Sequence, residues 1–188
     1  MSGFLSSFFL IFLAEMGDKT QLVALSLATK FNPWKVVVGI FIGTLVSHLM
    51  AVMIGQNLSL IIPMQYLKVI VGLSFIGFGL WTLKGDKYAE KKEKGGSKLG
   101  SVITVALAFF LAELGDKTQL ATISLAAQYR TLFGVLAGST LGMVCADGLA
   151  IALGSFAGKK LPEKTIKYFS AAIFIIFGLA IFIAAWNL

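Results

Sequence analysis

The chain has 188 residues, of which 57% are hydrophobic and only 13% charged, with a net charge of +7. A mean hydropathy of +0.88 excludes an ordinary soluble globule and identifies a polytopic membrane protein. The basic excess does not point to nucleic acid, because the lysines collect between long apolar runs, as they do in loops on one side of a bilayer.

Six apolar segments are expected, each near the ~20 residues that a bilayer core requires. They lie at approximately Phe4–Thr29, Val36–Gly55, Tyr66–Leu83, Ser101–Ala127, Leu132–Gly154 and Ile166–Trp186. The first run has no basic leader and passes from Phe8 into Glu15 and Asp18 rather than a small-residue cleavage site, so a retained helix is expected and not a signal peptide. Asn32-Pro33 ends that segment, since proline disfavours helix in the residue before it. Pro63 and Pro162 precede segments three and six, where prolines start helices. Cys145 is the only cysteine; no intrachain disulfide can form, and a small buried hydrophobe is expected there.

The one strongly polar stretch, KGDKYAEKKEKGGSK from Lys84 to Lys98, sets six lysines against Asp86, Glu90 and Glu93. It reads as a charged cytoplasmic linker, residues 85–100, between a first three-helix unit, 1–84, and a second, 101–188. Lysine and arginine counts set the orientation. With the N-terminus outside, the cytoplasmic side holds Lys30, Lys35, the six linker lysines, Lys159, Lys160, Lys164 and Lys167, twelve in all. The outside then holds only Lys68 and Arg130, so both termini are expected outside.

The two units repeat. AEMGDKTQL at Ala14–Leu22 returns as AELGDKTQL at Ala112–Leu120, offset by 98 residues, and beyond the motif the offset becomes 99. Gly39 and Gly43 then align with Gly138 and Gly142, Pro63 with Pro162, and Phe75, Phe78 and Gly79 with Phe174, Phe177 and Gly178. An odd number of spans per unit inserts the second upside down relative to the first. The expected fold is an all-α membrane protein of six transmembrane helices in two inverted three-helix repeats, the architecture of secondary transporters with a midplane site.

The motifs place charge where it is costly, roughly 2.5–3.5 kcal/mol per ionised residue at a helix centre. In a continuous helix Glu15 and Asp18 share a face, with Lys19 and Gln21 close by; Glu113, Asp116, Lys117 and Gln119 repeat the pattern. Brought together by two-fold symmetry, four carboxylates and two amide oxygens make an all-oxygen shell for a hard divalent cation such as Ca²⁺, Mg²⁺ or Mn²⁺. Gly17 and Gly115 could allow a local break that lends carbonyl oxygens to the ion. Lys19 and Lys117 have no lone pair to donate and read as charge balance or gating elements. Each motif nets −1, so one divalent cation neutralises the pair, and two protons on the carboxylates do the same. That is the minimum for antiport. The structural alternative has each lysine pairing with its own Glu or Asp and merely locking helices together.

His48 and Asp147 occupy equivalent places in segments two and five. They read either as a proton relay and supporting partners of the carboxylates, or as polar groups bonded across helices. Ser26, Ser47, Ser124 and Thr44 are expected as packing or helix-bonded hydroxyls. The matched Gly39/Gly43 and Gly138/Gly142 pairs predict close packing of segments two and five on the motif helices. Phenylalanines are expected as lipid-facing or core filler, and Trp34, Trp81 and Trp186 as interfacial anchors.

Two Glu-x-Gly-Asp-Lys/Arg-Thr/Ser motifs in a six-span, two-repeat chain resemble a cation/proton exchanger family, which includes bacterial manganese exporters of the MneA type and eukaryotic Golgi manganese/calcium transporters. The resemblance carries onto Glu15, Gly17, Asp18, Lys19 and Thr20, and onto Glu113, Gly115, Asp116, Lys117 and Thr118. It implies export of Mn²⁺, with Ca²⁺ as the other candidate, against protons, metal ions as cargo with no cofactor, and no enzymatic activity. A bacterial inner-membrane location is expected for so short a chain, with the lipid bilayer as surroundings and no oligomeric partner required. An organic-solute exporter would need a larger mixed cavity. A metalloprotease would want a His-x-x-x-His pair, and the chain has one histidine. A structural membrane subunit is at odds with the duplicated charges.

Overall fold

The computed structural model describes residues 2–16, 18–84, 100–157 and 163–185. Gly17, most of the charged linker (85–99), Lys159, Lys160, Pro162 and Trp186 lie outside the described residues, as do the side chains of Lys19, Lys164 and Lys167. Regular structure among the described residues is entirely helical: α1 (Ser2–Glu15), α2 (Lys19–Lys30), α3 (Pro33–Ile61), α4 (Met64–Lys84), α5 (Ser101–Glu113), α6 (Lys117–Tyr129), α7 (Leu132–Ala157) and α8 (Glu163–Ala184).

Three stretches are long and apolar enough to cross a bilayer: Pro33–Ile61, Met64–Leu83 and Leu132–Ala152. The other expected segments hold shorter apolar helices, Ser2–Glu15, Ser101–Glu113 and Ala171–Ala184. Segments one and four are not continuous helices. Each breaks inside its motif, so the reading of Glu15 and Asp18 as neighbours on one helical face gives way to a turn. The cause is local. Asp18 and Asp116 are extended, with φ/ψ of −83/168° and −77/165°, and Gly115 takes a left-handed φ of +78° that favours glycine. At 14 and 12 residues, α1 and α2 run about 21 and 18 Å at 1.5 Å per residue; neither alone reaches across the ~30 Å hydrocarbon core.

The main helix contacts cross between the two sequence halves. α1 and α2 pack on α7, α5 and α6 on α3, and α4 on α8. One core results, holding Leu10, Ile11, Val52 and Phe75 together with Phe109, Leu125, Met143 and Phe174. The paired glycines do what their spacing predicts: Gly39 and Gly43 of α3 seat α5 at Val105 and Ala106, while Gly138 and Gly142 of α7 seat α1 at Phe4 and Phe8. A Cβ at Gly43 or Gly142 would meet a backbone carbonyl oxygen of the facing helix, Ala106 or Phe8 respectively.

Between α4 and α8, Gly72 faces Gly178, and the rings of Phe75, Phe78, Phe174 and Phe177 interlock at centroid separations of 5.1 to 6.2 Å. These four are core; Phe9, Phe41, Phe133 and Phe169 face outward, and Trp34 and Trp81 are exposed near helix ends. Cys145 is exposed rather than buried, because Met143, Ala146 and Asp147 take the inward positions of that turn of α7.

Candidate functional site

Both motif breaks are built alike. Glu15 closes α1 and Glu113 closes α5, and each backbone carbonyl accepts from the amide three residues on, Asp18 N–H at 3.0 Å and Asp116 N–H at 3.1 Å. A carboxylate at a helix C-terminus stands against the dipole, while Asp18 and Asp116 stand at favourable helix N-termini. Neither aspartate uses its side chain as a cap, which leaves those oxygens for other partners. Glu15 and Glu113 are fully buried. So unfavourable a placement, made twice, is not explained by helix stability.

The break frees backbone donors that must be satisfied. In the second motif Gly115 N–H donates to Gln119 Oε1 at 2.8 Å, and Gln119 Nε2 donates across to Ser47 Oγ of α3 at 3.0 Å. Gln21 makes the corresponding link in the first motif, donating through Nε2 to the Ala146 carbonyl of α7 at 2.9 Å. Position 146 is the repeat counterpart of position 47. Each glutamine thus ties its own break to the long helix of the other half. The Gln119 amide oxygen, expected as a ligand atom, accepts the Gly115 N–H in the conformation described. Ser47, expected as packing, is one of these anchors. Thr44, also expected as packing, donates to Met143 Sδ at 3.5 Å, so a residue meets its own counterpart 99 positions away. Ser124 is helix-bonded as expected, donating to the Leu120 carbonyl at 3.0 Å.

The charges converge from both halves. Lys117 Nζ of the second motif pairs with Asp18 Oδ1 of the first at 2.9 Å, both side chains nearly excluded from solvent. The bridge runs between motifs and not within one, contrary to the pairing that a purely local lock would make. Glu15 lies within electrostatic reach of Asp18, Glu113, Asp147 and Lys117, and Asp147 within reach of Glu113 and Asp18. Thr118 Oγ1 donates to Glu113 Oε2 at 2.6 Å; Thr20 is likewise fully buried. His48 is fully buried beside Ser47, and neither ring nitrogen has a hydrogen-bond partner among the described residues.

Among the described residues no three His, Cys, Asp or Glu side chains stand close enough to form a ready-made metal cage. The first motif's aspartate is held by an ammonium group and the second motif's glutamate by a hydroxyl. Oxygen ligands are present in number, but closing them on an ion requires these partners to be exchanged.

The chain matches the family described as "Divalent cation/proton antiporter GDT1" twice, over residues 3–90 and 101–188. A Vibrio cholerae protein named "Putative manganese exporter" is 37% identical over 170 residues, covering 89% of this chain and 84% of the relative. A GDT1-like protein of Synechocystis is 30% identical, with 94% of this chain and 95% of the relative covered. The chloroplastic Protein PAM71 of Arabidopsis thaliana is 31% identical over 94% of this chain and 55% of the relative. No solved structure shows a significant match.

Proposed function

The chain belongs to the GDT1 family of divalent cation/proton antiporters, and we propose that it exports Mn²⁺ from the cytoplasm in exchange for protons, through one site shared by its two motifs. It is a membrane protein of a transporter family, not of an enzyme family. The observation that carries the reading is the ion pair between Lys117 and Asp18, which joins the two motifs inside one buried cluster of carboxylates.

In this reading Glu15, Asp18, Glu113 and Asp116 supply the ligand oxygens. Lys117 and Lys19 balance charge, and the divalent cation displaces Lys117 from Asp18. Thr20 and Thr118 support the glutamates. Gly17 and Gly115 shape the breaks, while Gln21 and Gln119 hold them and are freed to ligate only if the breaks rearrange. His48 carries protons to the cluster from α3. The family match on each half, together with Thr44 meeting Met143, supports two repeats, 1–84 and 101–188, joined by the linker at 85–100. Six spans follow, two of them broken at the motifs, with the second repeat inverted. The excess of cytoplasmic lysine supports both termini outside, and the Vibrio cholerae relative supports a bacterial inner membrane.

Manganese is favoured over calcium by the printed name of that relative; the oxygen ligands serve either ion. The test is uptake of Mn²⁺ and of Ca²⁺ into proteoliposomes under an imposed pH gradient, for wild type, Glu15→Gln and Asp116→Asn. Gradient-driven Mn²⁺ flux lost in both variants is the expected result. Flux indifferent to both substitutions moves the site elsewhere. No flux of either metal returns the chain to an organic-solute exporter or a structural subunit.

A further inference from the structure

Asp147 has no counterpart in the motifs, and the repeat places His48, not a carboxylate, at the equivalent position. It is fully buried, and neither carboxylate oxygen has a hydrogen-bond partner among the described residues. Burying a carboxylate without donors is unfavourable, and an apolar residue would pack the same space at no such cost. Its surroundings are specific. The Gln21 side chain of the first motif bonds the carbonyl of Ala146, the preceding residue, at 2.9 Å, which pins this turn of α7 against the start of α2. The charges of Glu113 and, more weakly, Asp18 reach Asp147, and Asp147 in turn reaches Glu15.

We infer that Asp147 is a direct oxygen ligand of the transported divalent cation, joining the motif carboxylates when they close on the ion. The inference rests on the antiport reading above and adds to it a fifth carboxylate. Hard divalent cations take six or more oxygens and often draw several from carboxylates. The α7 carboxylate adds oxygens to those of the four motif carboxylates, one of which, Glu113 Oε2, already accepts from Thr118. The two halves therefore bring unlike groups to the cluster, a carboxylate from α7 and an imidazole from α3. Lys117 is paired to Asp18. There it stands in for the cation that will replace it.

Equilibrium binding of Mn²⁺ to the purified full chain in detergent, read from the electron paramagnetic resonance signal of free Mn²⁺, tests this directly. Thermal unfolding without metal is measured in parallel. Asp147→Asn is expected to weaken Mn²⁺ binding at least tenfold without lowering the metal-free melting temperature, and Glu15→Gln to weaken it similarly. Wild-type affinity in Asp147→Asn with affinity lost in Glu15→Gln overturns the inference and leaves the antiport site standing. Wild-type affinity in both overturns the shared-site reading itself, and the inference with it. If Asp147→Asn does not fold, Asp147→Glu decides: a longer ligand arm changes Mn²⁺ affinity at least tenfold, and unchanged affinity overturns the assignment.

Discussion

The two halves agree inside the motif breaks and part company along the helix seams. Glu-x-Gly-Asp-Lys-Thr-Gln is identical in both apart from the residue after the glutamate. The backbone turns are the same to within 0.1 Å in their Glu-to-Asp hydrogen bond, and each glutamine crosses to the same position of the opposite long helix. Along the glycine seams the halves differ. On α1 the rings of Phe4, Phe8 and Phe12 stack at 6.2 and 6.0 Å beside Gly138 and Gly142. On α5 the corresponding residues are Val102, Ala106 and Phe110, and beside Gly43 they leave a wholly apolar groove of about 350 Å³. The helix ends differ too. α2 stops at Phe31 in an extended conformation, whereas α6 stops at Arg130 with φ of 52°, whose guanidinium donates to the Ser59 carbonyl at 2.6 Å. A packing seam tolerates any filling that leaves the helices in register. A shared ion site does not tolerate a missing ligand.

Six substitutions probe this contrast, taken from the largest expected effect. Lys117→Met strands Asp18 as a buried, unpaired carboxylate and should destabilise the protein by roughly 3–5 kcal/mol, with Asp18→Asn in the same chain restoring most of it. Chemical unfolding in detergent measures both, and a small effect of Lys117→Met would mean that the bridge does not hold the halves together. Gly43→Val and Gly142→Val each drive a side chain into a backbone carbonyl that cannot move aside, at roughly 3 kcal/mol. Equal losses would show that the two seams are equally tight despite their different linings. Arg130→Ala removes a charge-assisted hydrogen bond at the end of α3, worth roughly 1.5–3 kcal/mol, from one half only. Ala106→Phe copies Phe8 into the groove and should raise stability by about 1 kcal/mol; a loss instead would mean that the groove cannot take the ring its counterpart accepts.

Much of this was legible in the residues because it is written twice. The duplicated motif, the matched glycines and the all-helical character follow from spacing and hydropathy. The break did not follow, because hydropathy runs unchanged through Leu13, Ala14, Leu111 and Ala112; only the central Gly17 and Gly115 hinted at it. With the break unseen, Gln119 read as a metal ligand, whereas an interrupted helix exposes the Gly115 N–H and the amide oxygen goes there first. The Lys117–Asp18 pair was hidden for another reason. Within one motif a lysine sits beside its own aspartate, and only the packing of α1 and α2 on α7, and of α5 and α6 on α3, brings the other motif's aspartate closer. Ser47 read as packing because its counterpart is Ala146, which does the same work with a main-chain carbonyl and so leaves no side-chain signature.

Counting bound ions tests the central claim most directly. Saturation binding of Mn²⁺ to purified wild type, Glu15→Gln and Glu113→Gln separates one shared site from two independent ones. A single ion per wild-type chain, with high-affinity binding abolished by either substitution alone, is the predicted result. Two ions per wild-type chain, with one kept in each variant, would show that each motif binds by itself and would contradict a site built between the halves.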